Sequence, residues 1–444
     1  MGRLFGTDGV RGRAGDELTA DLARGLGRAA VVVLGRHGSG PPTLVVGRDT
    51  RESGEWLEDA LVEGIRDAGG DAVIAGVQPT PAVAFFTVAL GATSGVVISA
   101  SHNPAADNGI KFFAADGVKL SDDLEDEIEA VLDEPSTPAA ERGITLPLGE
   151  EEERYLRHLL DAADAPLQGM TVVVDCANGS ASGVAPGVLR RLGATVHAIY
   201  DAPDGRNIND GCGALHPEVM AAAVVRLGAD AGVAHDGDAD RALFADAAGA
   251  VIDGDQVLAA CALGLQEQGR LAKDAVVTTV MANLGFHRAM ADAGIQVHTT
   301  RVGDRSVAEE MWRTGASLGG EQSGHVIFAE HATTGDGLLT AVRFLSLAAR
   351  RGVPVAVLAA SMRRYPQAME NVAVRDREAL DSSERIREAV ERAERDLEEG
   401  GRVVVRASGT EPLVRVMVEA EDEATASRHA EAIADAVRAE IGAG

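Results

Sequence analysis

The chain has 444 residues, 45% of them hydrophobic and 3% aromatic, and carries a formal net charge of -28. That length exceeds what one core of about 100 to 150 residues supports, so three or four globular domains are expected. The acidic balance excludes the extended basic face that a nucleic-acid or anionic-membrane partner needs, and any site for a compact phosphorylated metabolite must be a local basic exception.

The N-terminus, MGRLFGTDGVRGRAG, has no apolar core of signal-peptide length, and no uninterrupted apolar run of about 18 residues follows, so a cytoplasmic protein is expected. The stretch FGTDGVRG sets Arg11 among glycines, where it could hold phosphate oxygens. A G-x-G-x-x-A spelling at residues 25–30 lies inside a helical pattern instead of after a strand, which removes a dinucleotide site. Cys176, Cys212 and Cys261 have no C-x-x-C spacing, so neither a disulfide framework nor a zinc site is expected.

Residues 43–76 read as a buried strand, a polar turn, an amphipathic helix, a Gly-containing stop and a second strand. Residues 171–199 and 275–299 repeat that grammar. Each unit is followed by an echo: GATSGVVISASHNP from Gly91, GADAGVAHDGDADR from Gly228 and GASLGGEQSGHVIF from Gly315. Such units build mostly parallel sheets with right-handed crossovers, and loops at the carboxyl ends of strands are where α/β sheets build sites. Three equivalent polar loops can therefore converge on one cleft. A Pro, Gly and charge-rich linker at residues 133–153 separates the first unit from the second, and the next boundary falls near Ile252. The tail reads as a strand at 370–375, a charged helix at 382–399, two strands and a final helix from Glu423, a small α+β domain.

In VVISASHNPAADNGIKFF, Ser101 sits at the bend before His102, Asn103 and Pro104, whereas Ser99, the competing nucleophile, reads as still within the strand. Lys111 follows the turn signal Asn108-Gly109 and alternates with Ile110 and Phe112, so it can point back at the serine loop. HDGDADR spaces Asp236, Asp238 and Asp240 so that three carboxylates can converge on one hard cation such as Mg²⁺. An EF-hand fails, because its sixth position would be Arg241 and its twelfth Ala247. A solvated acidic turn is the competing account of those carboxylates. GGEQSGH offers Glu321 and Ser323 on one side of an extended segment for paired sugar hydroxyls, with His325 as a neighbouring acid, base or strand cap; a plain polar turn is the alternative. RASGTEP combines a backbone anion nest with Arg406 and Arg415, the local basic exception required above, with a plain hairpin as its alternative.

Taken in order, FGTDGVRG, ISASHNP with NGIKFF, DGDADR, GEQSGH and RASGTEPLVRVMVE span the chain, and the sequence resembles the α-D-phosphohexomutase superfamily. The resemblance implies three similar mixed α/β sheet domains plus a smaller C-terminal α+β domain around a central cleft. The expected divisions are 1–148 for the phosphoserine domain, 149–252 for the metal-binding domain, 253–364 for the sugar-binding domain and 365–444 for the phosphate-binding domain. It implies that Ser101 is phosphorylated and binds Mg²⁺ together with Asp236, Asp238 and Asp240. Glu321 and Ser323 would contact sugar hydroxyls, and Arg406, Ser408, Gly409, Thr410 and Arg415 would hold the substrate's own phosphate. Lys111, Arg11, Arg241 and His325 would assist transfer.

The implied reaction converts glucosamine 6-phosphate to glucosamine 1-phosphate through a hexosamine 1,6-bisphosphate that turns around in the cleft, feeding UDP-N-acetylglucosamine and cell-wall precursor synthesis. The choice of glucosamine rests on the GEQSGH and FGTDGVRG forms. The expected partners are a phosphosugar, a second copy in a homodimer and an unidentified source of the activating phosphate. Two rival classes are a metal-dependent phosphatase with an aspartate nucleophile in DGDAD, which leaves Ser101 unused, and a silent sugar-phosphate sensor.

Overall fold

The computed structural model describes residues 3–6, 8–36, 40–132, 134, 139–380, 382–408 and 412–443. Its strands form four sheets. The first holds β1 (Val10–Arg13), β2 (Thr43–Arg48), β3 (Asp71–Val77), β4 (Ser94–Ile98), β5 (Asp107–Ala114) and β6 (Thr145–Pro147), in the order β1-β5-β4-β2-β3-β6. The second holds β7 (Thr171–Asp175), β8 (Thr195–Ile199), β9 (Ala231–His235), β10 (Ala242–Asp246) and β11 (Val251–Ile252), ordered β11-β10-β9-β7-β8. The third holds β12 (Ala275–Thr279), β13 (Gln296–Thr300), β14 (Leu318–Gly320) and β15 (Val326–Phe328), ordered β13-β12-β14-β15. The tail sheet is antiparallel, with β16 (Gln367–Ala373), β17 (Arg402–Ala407) and β18 (Leu413–Glu419) in the order β16-β18-β17.

The repeat in the sequence is a repeat in topology. Each of the first three sheets contains a four-stranded part in which three strands run parallel and one returns antiparallel, so β5-β4-β2-β3, β10-β9-β7-β8 and β15-β14-β12-β13 correspond strand for strand in pairing. The central strands are apolar on both faces because helices cover both. Leu44 and Val46 of β2 face one core, packed by the helices Ala20–Arg36 and Ser53–Asp67, while Val45 faces another. Val173 and Val277 likewise turn to outer cores, while Val172, Val174 and Val276 join the core that also holds Val45. One continuous apolar cluster therefore runs through the first three units, and the tail has its own around Val414, Val416 and Ile433.

The structure departs from the local sequence pattern in four places. Asn108-Gly109 is not a turn: both lie inside β5, with Asn108 Nδ2 donating to Ser53 Oγ at 2.8 Å, and the reversal is made by residues 101–106. The stretch 133–153 is more than a linker, since β6 adds to β3 as an edge strand and its acidic run opens the helix Glu151–Asp161, where carboxylates suit the N-terminal dipole. The first tail strand starts and ends earlier than expected because its register against β18 pairs Gln367 with Glu419 and Ala373 with Leu413. The charged helix is Glu384–Leu397, capped by Ser383. No helix among the described residues is long and apolar enough to cross a membrane.

Candidate active site

β4 ends at Ile98, and the next residues carry the chain out at the carboxyl edge of the sheet. Ser101 takes a left-handed backbone, φ 50°, and is 1% exposed. Its Oγ donates to Asp236 Oδ2 at 2.7 Å. Asp236 directly follows β9, the strand of the second unit that corresponds to β4, so the loops after two equivalent strands meet. Ala239, φ 58°, bends the acidic segment, and the carboxylates of Asp236, Asp238 and Asp240 present oxygens within 4.8 Å of one another.

Lys111 is 2% exposed and donates from Nζ to Asp238 Oδ2 at 2.7 Å; Thr80 Oγ1 donates to the same oxygen at 2.7 Å. Although burial opposes it, those partners hold the Asp238 carboxyl below the usual carboxylate range. Burial together with Asp240 and Asp238 pushes Asp236 well above that range, and burial with Asp238 raises Asp240. Asp238 Oδ1 and Asp240 Oδ1 are buried with no hydrogen-bond partner among the described residues. Crowded acidic oxygens left without donors fit a hard divalent cation. Arg241 Nε lies 3.9 Å from Asp236 Oδ2 and 3.7 Å from Asp240 Oδ1.

In the third loop the chain turns after β14, with Gly324 N donating to Glu321 O at 3.0 Å, so Glu321 and Ser323 are not on one side of an extended segment as expected. The turn still delivers both to the cleft: Glu321 Oε1 accepts from Gly303 N at 3.1 Å, and Ser323 Oγ is buried without a hydrogen-bond partner among the described residues. His325 is 2% exposed, bridges to Arg241 through the backbone, and has neither ring nitrogen hydrogen-bonded among the described residues. In the tail, Arg406 stands directly opposite Arg415 across β17 and β18, and burial and that like charge push the Arg406 guanidinium below its ordinary value. Ser408 is buried, its carbonyl accepting from Arg377 Nη1 at 2.7 Å. Gly409 and Thr410 lie outside the described residues.

Arg11, Asp240, Arg241, Glu321, Ser323, His325, Arg406 and Arg415 line one cavity of about 500 Å³, a size suited to a small ligand. Larger cavities beside Trp312 (about 720 and 540 Å³) and Arg48 (about 820 Å³) are lined by none of these eight residues. Sequence reasoning missed Thr80, Asp8, Lys119 and Asp304. Asp8 pairs with both Arg11 and Lys119, and Lys119 Nζ lies 2.7 Å from Asp304 Oδ2, tying the first unit to the third at the cavity wall. His102, Nδ1 3.3 Å from Ser101 Oγ, is pushed down to about 4 by burial and by Arg241 and Arg11, and is neutral near pH 7.

The chain matches the models of the phosphoglucomutase/phosphomannomutase family: alpha/beta/alpha domain I over residues 2–138, domain II over 153–249, domain III over 253–365 and the C-terminal domain over 369–436. It is 54% identical to a phosphoglucosamine mutase of Frankia alni, covering 99% of each chain, and 54% identical to one of Rhodococcus opacus, covering 98% and 99%. A crystal structure of a phosphoglucomutase/phosphomannomutase family protein from Burkholderia thailandensis superimposes with TM-score 0.83 at 26% identity, covering 98% of this chain and 97% of that one. With matched segments running in order along nearly the whole chain, and charged loops from every unit turned onto one cavity, the chain belongs to the phosphoglucomutase/phosphomannomutase family of phosphohexomutases.

Proposed function

We propose that this chain is an isomerase of the intramolecular phosphotransferase kind, interconverting glucosamine 6-phosphate and glucosamine 1-phosphate through a phosphorylated Ser101 and a hexosamine 1,6-bisphosphate. The observation that carries the reading is the 2.7 Å contact of Ser101 Oγ with Asp236, inside a buried three-carboxylate cluster that opens on a cavity walled by arginines. The shared name of relatives at 54% identity supports the choice of amino sugar.

In the first transfer the bond between Ser101 Oγ and phosphorus breaks as one forms to the sugar O1, whose proton is lost while the departing Oγ takes one up. After the bisphosphate turns around, the bond from O6 to phosphorus breaks, O6 takes up a proton, and Oγ gives up its own as it regains the phosphoryl group. Asp236, Asp238 and Asp240 with the serine oxygen would hold Mg²⁺, which when bound neutralises charge on the transferring group. Arg406 and Arg415 bind the phosphate not in transfer, with Ser408, Gly409 and Thr410 proposed as further donors. Glu321 and Ser323 take ring hydroxyls in either orientation of the sugar. Lys111, Arg11, Arg241 and His325 surround the transferring group, where they balance charge and carry the departing proton. The four-unit division at 148, 252 and 364 gives each loop its own domain. The reading also takes in a cytoplasmic enzyme, a homodimer and an outside donor for the first phosphate on Ser101.

A coupled isomerisation assay on glucosamine, glucose and mannose 6-phosphates tests it, run with and without Mg²⁺ and a hexose 1,6-bisphosphate primer. The expected result is fastest turnover of the glucosamine ester, dependence on both additions, one phosphate on Ser101 by mass spectrometry, and no turnover in Ser101→Ala. Phosphate release that survives Ser101→Ala would replace the mutase with an aspartate-nucleophile phosphatase, and binding without interconversion would replace it with a sensor.

A further inference from the structure

The serine loop is gripped from behind by side chains that do not face the reacting groups. Arg51, three residues past the end of β2, is fully buried, and every N-H donor of its guanidinium is engaged. Nε donates to Asp49 Oδ2 at 2.9 Å, Nη2 to the carbonyls of Ser101 and Asn103 at 3.0 and 2.8 Å, and Nη1 to those of Pro104 and Asp107, the last at 2.9 Å. From the second unit, Asn209 Nδ2 donates to the Ser101 and Asn103 carbonyls at 2.8 and 3.1 Å. On the amide side, Ser101 N donates to Ser99 Oγ at 2.9 Å, and that hydroxyl donates to Asp49 Oδ2 at 2.6 Å, the oxygen that also accepts from Arg51 Nε.

Both backbone polar groups of Ser101 thus end on one buried network, and that residue is the one whose φ of 50° a serine does not adopt without outside support. The backbone angle sets where Oγ points, so the network sets the 2.7 Å approach to Asp236. The second unit closes in tightly behind: a Cβ at Gly237 would lie 2.6 Å from the Ser101 carbonyl oxygen. Ser99, a nucleophile candidate by sequence, has its hydroxyl committed to this scaffold and is fully buried.

We propose that Asp49, Arg51, Ser99 and Asn209 are positioning residues that hold the left-handed backbone of Ser101, keeping its Oγ aimed at the acidic cluster while the phosphoryl group is away on the sugar. The proposal rests on the phosphotransfer reading above but not on which hexose is used. Because, among the described residues, the network's hydrogen bonds reach none of the sugar-binding or phosphate-binding groups, loosening it lowers the rate of transfer and spares substrate affinity. A misplacement of about 1 Å is enough for a loss of about 100-fold.

The test uses full-length Ser99→Ala and Asn209→Ala, with thermal melting to confirm folding. It compares kcat and KM for glucosamine 6-phosphate, and the rate at which a hexose 1,6-bisphosphate phosphorylates dephosphorylated protein, read by intact mass. Each variant is expected to lose about 10- to 100-fold in kcat and in phosphorylation rate, with KM within about twofold of the parent. Unchanged kcat and phosphorylation rates in either folded variant, or a loss confined to KM, overturns the proposal; if one variant does not fold, the other decides. A parent protein that fails to take phosphate on Ser101 overturns the phosphotransfer reading itself, whereas an active parent with unaffected variants overturns the positioning role alone.

Discussion

Lys111 and Asp238 form an ion pair that excludes water from both charges, the side chains being 2% and 0% exposed. Such a pair holds only while both partners are present, because a lone buried charge keeps its desolvation cost and loses its compensation. Lys111→Met is expected to lower stability by about 3 to 5 kcal/mol in urea denaturation, and Lys111→Met with Asp238→Asn to recover part of that. Additive losses in that cycle would mean that the two charges do not interact. Asp238 Oδ1 and Asp240 Oδ1 have no hydrogen-bond donor among the described residues, an arrangement that a bound cation would relieve. Adding Mg²⁺ to chelator-treated protein is expected to raise the thermal midpoint, by the equivalent of about 2.7 kcal/mol at a hundred times the dissociation constant. Asp240→Asn should shrink that gain, and a parent midpoint indifferent to Mg²⁺ would count against the metal site.

At the scale of elements, the turn between β14 and β15 shows how backbone geometry controls a recognition loop. Gly324 has φ 93°, and a Cβ there would lie 2.5 Å from the Ala242 carbonyl oxygen of the second unit. Gly324→Ala is therefore expected to cost more than about 1 kcal/mol and to raise KM for the sugar phosphate, since Glu321 and Ser323 ride on the same turn. A variant with parental melting and KM would show that the turn has slack. The same scale explains one misreading. Asn-Gly is a strong hairpin signal, yet Gly109 is needed in mid-strand because a Cβ there would lie 2.6 Å from the Ser99 carbonyl oxygen. Close packing, not turn formation, is what this glycine serves.

At the scale of the molecule, the first three units share an apolar core while the fourth is joined to the third by polar contacts around buried Glu419. Asn283 Nδ2 donates to Glu419 Oε1 at 3.0 Å and to Tyr365 O at 3.0 Å, and Arg402 Nε donates to Glu419 Oε2 at 3.1 Å. Asn283→Ala is expected to loosen the tail, seen as a larger radius of gyration by small-angle scattering and faster proteolysis between the last two units; parental values in both would assign the joint to other contacts. Beneath it, Asp255 accepts from Asn283 N at 2.8 Å, and burial with the nearby Asp253 pushes its carboxyl up to about 8. A carboxyl raised on folding contributes stability that is complete below its unfolded value of 3.8 and is lost as pH rises through the folded value. Every tenfold gain in proton affinity on folding is worth about 1.4 kcal/mol. The urea midpoint of Asp255→Asn should therefore gain on the parent's from pH 5 to pH 9, and a constant difference would refute the raised carboxyl.

The sequence by itself determined the repeated strand and helix grammar, the mostly parallel sheets and the order of the charged motifs, because periodicity and turn chemistry act over a few residues and leave their mark in any short window. Even Arg406 and Arg415 were legible as a pair, since one hairpin sets them opposite each other. Only the tertiary structure decided which of those groups meet. Thr80 and Asp238 are 158 residues apart and Arg51 and the Ser101 carbonyl 50, and nothing in either segment's composition announces its partner. A hydrogen bond needs two atoms brought to about 3 Å in a fixed direction, and that placement is set by how whole sheets pack, a property no local stretch of the chain carries.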